Sequence, residues 1–254
     1  MDFTLNKYKE LLIALTVQKY SFQTFEEFLN FPKDKSVILR HDVDLLPLNS
    51  LVFAKIQAEV GVKGVYYFRA VPESWDENII KEIASLGHEI GYHYENLTTY
   101  NGNLTKGIED FEKNLINLQK LVPVSTICMH GSPMSKYDSK DLWEKYKYQD
   151  FGIIGEPYFD MDFNKVFYLT DTGRRWDGHK VSVRDKVITN FQQTYHSTNQ
   201  IITSINKNEL PKQIMFTFHP QRWHDNNLLW IKEILLQNAK NMIKKYFFVP
   251  KAIN

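Results

Sequence analysis

The chain has 254 residues, 43% hydrophobic and 14% aromatic, enough for one large folded domain and too apolar for a disordered chain. Lys plus Arg number 31 and Asp plus Glu 30, so the formal charge of +1 offers no basic excess for a nucleic-acid partner. The single cysteine, Cys128, excludes an internal disulfide and any multi-cysteine metal centre, and its setting, Thr126-Ile127-Cys128-Met129, reads as an inert thiol in a buried strand.

The first apolar patch, Leu11 to Val17, is flanked by Lys9, Glu10 and Lys19 and has no basic segment before it. It reads as one side of an amphipathic helix, not as a secretion signal, and a cytoplasmic location is expected. No apolar run approaches the ~20 residues needed to span a bilayer. Without repeats or linkers, the pattern predicts a single domain over 1–254, with N-terminal helices in 1–30 packed on it. Nothing in the sequence sets an oligomeric state.

Next comes a strand, Ser36 to Arg40, running into His41-Asp42-Val43-Asp44, then a helix from Leu48 to Val60 stopped by Gly61. Val65 to Phe68 reads as strand, Asp76 to Leu86 as helix, and His88 to His93 as strand. A long helix from Leu104 to Leu121 follows, then a strand from Thr126 to Met129 and a helix from Ser139 to Tyr146. Strands are expected near Ile153, over Val166–Leu169 and over Ile214–Phe218, with a closing helix from Asn227 to Tyr246. Strands alternating with helices imply βαβ units around a parallel sheet. Six or seven such strands with outer helices suggest an α/β barrel, whose chemistry sits at the C-terminal strand ends.

Polar residues gather at those ends. Asp42 and Asp44 lie on one face of an extended segment, where two carboxylates need a cation or a shared proton. His93, His130 and His219 each end a different predicted strand. His88, five positions before His93, points to the opposite face and reads as structural. The loop Asp171 to Gly178 brings Arg174, Arg175 and Trp176 together, and Trp223 follows His219. These four are expected to bind substrate, the tryptophans offering flat faces on which a sugar can stack.

Gly87-His88-Glu89-Ile90-Gly91-Tyr92-His93 resembles the second motif of the polysaccharide deacetylase superfamily, the NodB-homology fold. Arg40-His41-Asp42-Val43-Asp44 is similar to its first motif, and His219 in Phe216-Thr217-Phe218-His219-Pro220 to its late histidine. The order and spacing fit over roughly residues 36 to 246. The resemblance implies a distorted (β/α) barrel, one divalent metal, with zinc the first expectation, and hydrolysis of an N-acetylated sugar or another amide-containing small molecule. It makes Asp42 the general base, Asp44 and His93 metal ligands, and His219 the general acid. The superfamily's second ligand histidine falls four residues after the first, where this chain has Leu97. His130 is expected to complete the site, with Glu95 as second choice. The arginine usual near the base has no obvious counterpart after its strand, so Arg174 or Arg175 is expected to stand in. Two rivals remain: a non-catalytic carbohydrate-binding descendant with a degraded metal site, and a metal-dependent glycosyltransferase using Asp42-Val43-Asp44.

Overall fold

The computed structural model describes residues 1–178, 182 and 184–247. In chain order it contains α1 (Leu5–Val17), β1 (Ser21–Gln23), α2 (Phe25–Asn30), β2 (Ser36–Val43), α3 (Pro47–Val60), β3 (Val65–Phe68), α4 (Glu77–Ser85) and β4 (Glu89–Tyr94). There follow α5 (Asn96–Thr99), α6 (Leu104–Gln119), β5 (Ile127–Met129), α7 (Pro157–Asp160), β6 (Phe167–Thr170), α8 (Thr198–Asn206), β7 (Gln213–Phe218) and α9 (Asn227–Phe247).

All eight residues of β2 are buried, as expected of a strand covered on both faces. Alternation sends Ile38, Arg40 and Asp42 to one face and Val37, Leu39, His41 and Val43 to the other. Ile38 joins Val65, Tyr67, Cys128 and Met215 in a compact interior cluster, closed by Phe25 and Phe28 of α2. Val37, Leu39 and Val43 join Tyr66, Phe68, Tyr92 and Phe216 in a larger cluster that includes side chains of α1, α3, α4, α6 and α8. One parity thus builds the barrel interior and its polar mouth, and the other builds the layer between sheet and helices.

Six of the seven described strands pair in parallel in the order β5-β4-β3-β2-β7-β6. β1 lies beside Ser36 to Ile38 of β2, and β3 takes over the same edge from Arg40. Among the described residues β5 and β6 do not pair with each other, so the sheet curls into a half-barrel with helices around it. Gly91 makes room for the Tyr67 ring, since a Cβ there would lie 2.3 Å from it.

Some local expectations differ. Residues Ser139–Glu144 form a 3₁₀ turn instead of an α-helix. The strand expected near Ile153 reduces to a bridge between Thr126 and Gly155. β1 is too short for alternation to announce it, and α8 is rich in β-branched residues and asparagine, poor helix formers. It forms because Ser197 accepts from the Gln200 amide and Ile201 and Ile205 are buried. His88 is structural, bonded through Nδ1 to the Gly64 amide (3.2 Å) and through Nε2 to the Ala54 carbonyl (3.1 Å).

Behind β5, Glu156 is fully buried and accepts from the amides of Met129 (3.0 Å) and Tyr158 (2.5 Å). Burial pushes its carboxyl up to about 7, against the opposing pull of the Met129 amide and the Arg40 guanidinium. Between the ordinary value of 4.5 and about 7 the folded protein holds a proton that the unfolded chain has released. Stability therefore falls as pH rises through that window and levels off above it. Glu156→Gln is expected to flatten this slope by on the order of 1–3 kcal/mol between about pH 5 and about pH 8. Urea denaturation at the two pH values measures it, and equal slopes in both proteins would remove Glu156 as the cause.

Candidate metal centre and catalytic site

Four strand ends converge on Asp44, the first residue past β2. Its Oδ1 lies 3.6 Å from His93 Nε2 at the end of β4 and 3.5 Å from His130 Nε2 just past β5. Its Oδ2 lies 3.9 Å from His219 Nε2 just past β7 and accepts from the Gln221 amide (3.1 Å). Asp42, His93, His130 and His219 line one small polar cavity of about 80 Å³ with it.

The second nitrogen of each histidine is committed elsewhere, which aims Nε2 inward. His93 Nδ1–H donates to the Cys128 carbonyl (2.8 Å) and His130 Nδ1–H to Glu95 Oε2 (2.8 Å). Glu95 is anchored from the other side by Arg69 at the end of β3 (Nε 2.8 Å), whose Nη1 also donates to the Asp44 carbonyl (2.9 Å). Burial would raise the Glu95 carboxyl, but the His130 hydrogen bond and charge, with Arg69, hold it down at about 2. A carboxylate orienting an imidazole in this way is the usual support for a metal-binding histidine. Glu95 thus meets the Nδ1 side of His130, while the Nε2 side faces Asp44.

The donor set fits a cation. Asp44 Oδ1 is buried and, among the described residues, has no hydrogen-bond partner although two imidazole nitrogens face it. Burial alone would raise this carboxyl; the imidazoles of His93, His130 and His219 around it hold it well below the usual range. One carboxylate oxygen and two imidazoles suit zinc. Asp42, His93 and Cys128 also come within 4.8 Å of one another. That alternative is poorer, because the thiol belongs to the apolar interior cluster and does not line the cavity. Glu95→Gln is expected to weaken zinc binding about 10- to 100-fold, read by competition with a chelator; unchanged affinity would mean that His130 needs no such support.

Asp42 is nearly sealed from solvent and held bidentately by Arg40 of the same strand face, Nε–Oδ1 2.8 Å and Nη2–Oδ2 2.7 Å. Arg40, two residues before Asp42, thus holds the place beside that carboxylate expected of Arg174 or Arg175. Across the cavity, His219 Nδ1–H donates to Asp171 Oδ1 (2.5 Å), leaving Nε2 toward Asp44. Asp171 also accepts from the His219 amide (2.9 Å), Trp223 Nε1 (2.6 Å) and Arg222 Nη1 (3.3 Å). Burial opposes its ionisation, but the His219 charge and hydrogen bonds and Arg222 lower its pKa.

The four substrate-binding expectations fare differently. Trp176 and Trp223 are core residues, packed edge to face with Phe218, and offer no open ring face. Trp223 instead braces Asp171. Arg174 lies over Trp230 and donates to its carbonyl (3.0 Å), while Arg175 pairs with Asp177. None of the four lines the cavity. Leu97, at the position of the superfamily's second histidine, is buried in the outer layer because the chain turns into α5 there.

Fold and site together define a parallel α/β half-barrel with a carboxylate–histidine centre at its C-terminal mouth. No protein-family profile matches the chain, and no curated protein does. Solved structures similar to it include a CE4 esterase from Streptococcus mutans, 14% identical, covering 88% of this chain and 87% of that one with a TM-score of 0.44. A family 4 carbohydrate esterase from Streptomyces lividans in complex with acetate is 13% identical, covering 81% and 88%, TM-score 0.42. A CE4 family pseudoenzyme is 13% identical, covering 83% of this chain and 63% of that one, TM-score 0.44.

Proposed function

We propose that this protein is a metal-dependent amide hydrolase that removes the acetyl group of an N-acetylated sugar or sugar-containing precursor. The observation that carries the reading is Asp44 Oδ1, without a hydrogen-bond partner among the described residues and lying between the Nε2 atoms of His93 and His130. Asp44, His93 and His130 would hold one divalent cation, zinc first. A bound cation supplies Lewis acidity toward the acetyl carbonyl oxygen.

The chain's own residues move the protons. Asp42 takes one from the water that attacks the carbonyl carbon. Arg40 fixes that carboxylate in orientation through two hydrogen bonds. His219, protonated and oriented by Asp171, gives a proton from Nε2 to the amide nitrogen as the C–N bond breaks. An amine leaves poorly without that proton. The products are acetate and the free amine.

The test is acetate release from N-acetylglucosamine derivatives by protein loaded with zinc and by chelator-treated protein. Release that needs zinc supports the reading. Zinc bound with no release from a panel of amide substrates would favour a binding protein instead.

A further inference from the structure

A second cavity, of about 570 Å³, opens beside the site and shares Asp44, Pro133 and Arg222 with the polar one. Its size falls within the range of small-molecule pockets, and it is seven times larger than its neighbour's 80 Å³. One wall is α9, whose Leu229, Leu236 and Ile243 repeat at seven-residue spacing on one face and are each about half exposed. The opposite wall is Leu45, Leu46 and Met134, also exposed. Leu46 adopts a left-handed conformation (φ 54°), unusual for a bulky residue, and its amide is tied to the Glu73 carbonyl (3.0 Å). The backbone thus holds two leucines at the mouth of a polar site, where solvation alone would favour polar side chains. Exposed apolar surface gathered around a cavity of this kind marks a ligand groove.

The side on which the groove lies identifies what occupies it. Its floor is Gln221, Arg222 and His224, the segment that directly follows His219. The general acid faces the leaving amine, so the groove extends from the amine half of the substrate. The small cavity around Asp42 has room for a short acyl group and water only.

We infer that the substrate is an amphiphile: an N-acetylated amino sugar whose aglycone is an aliphatic chain, with the acetamide at Asp42 and His219 and the chain along α9. This deepens the proposed amide-hydrolase reading and rests on it for the placement of the acetamide. Burying each methylene favours binding, so affinity should climb with chain length.

The experiment titrates zinc-loaded Asp42→Asn protein with the methyl, butyl and octyl glycosides of N-acetylglucosamine by calorimetry, below their micelle concentrations. Octyl is expected to bind at least about tenfold tighter than methyl, a small part of what seven buried methylenes could give. Leu236→Glu and, separately, Met134→Glu should erase the dependence on length. Leu235→Glu, on the helix face away from the groove, should preserve it. Equal affinities along the series, or a series unmoved by both groove variants, would overturn the inference. The outcomes separate from the broader reading: wild-type turnover of the methyl glycoside without any length effect leaves the hydrolase standing and removes the groove. A length effect that the groove variants erase, with no turnover of any glycoside by wild type, does the reverse.

Discussion

Asp42→Asn is expected to lower acetate release by roughly 10²- to 10⁴-fold, the usual scale for a lost proton acceptor. Zinc affinity should stay within a few fold of wild type, since Asp44, His93 and His130 keep their places. The variant carries a structural cost that can be read separately. Both Asp42 oxygens accept from Arg40, and an amide would turn a donor toward that guanidinium. Removing one partner of a buried pair typically costs about 3–5 kcal/mol, so the melting temperature should fall as well. Zinc titration of the folded variant therefore accompanies the kinetics. Retained zinc with turnover reduced less than about tenfold would remove Asp42 as the base. Lost zinc would make it a ligand instead.

Arg40 shows what a one-dimensional reading can and cannot see. It lies two residues before Asp42, so the parity argument that put Asp42 and Asp44 on one face already placed Arg40 beside them. Expectation went to Arg174 and Arg175 because two guanidiniums next to a tryptophan and glycines look like a site. In the fold that loop packs its one ring, Trp176, against Phe216 and Phe218. Aromatic side chains near a turn serve the core as readily as a ligand, and composition does not separate the two uses. His130 was legible for a firmer reason, because strand-end position decides what reaches the mouth of a parallel barrel. Its amide extends the β4–β5 pairing to Tyr94 (2.9 Å), which sets it next to Glu95. Asp171 was not legible in that way. It directly follows β6, at the opposite end of the strand order from β5 and His130, and the β6–β7 pairing brings it to His219. A carboxylate closing a predicted strand, level with a histidine closing the next, was the signal available.

The Asp171–His219 pair leads to the last expected result. If His219 donates the proton that releases the amine, His219→Ala should lower turnover of N-acetyl substrates by about 10²- to 10⁴-fold. O-acetyl substrates with good leaving groups should lose much less, because an alkoxide of low basicity departs without a proton. The alternative is that His219 only anchors the chain where Pro220 opens the turn to Arg222. His219 and Trp223 both donate to Asp171, so removing the imidazole also unsettles that buried carboxylate. A purely structural loss would lower amide and ester turnover by the same factor. Measuring both substrates, with the melting temperature alongside, distinguishes the two. A parallel loss on amide and ester would assign His219 to the frame of the site and leave the leaving amine without an acid from this chain.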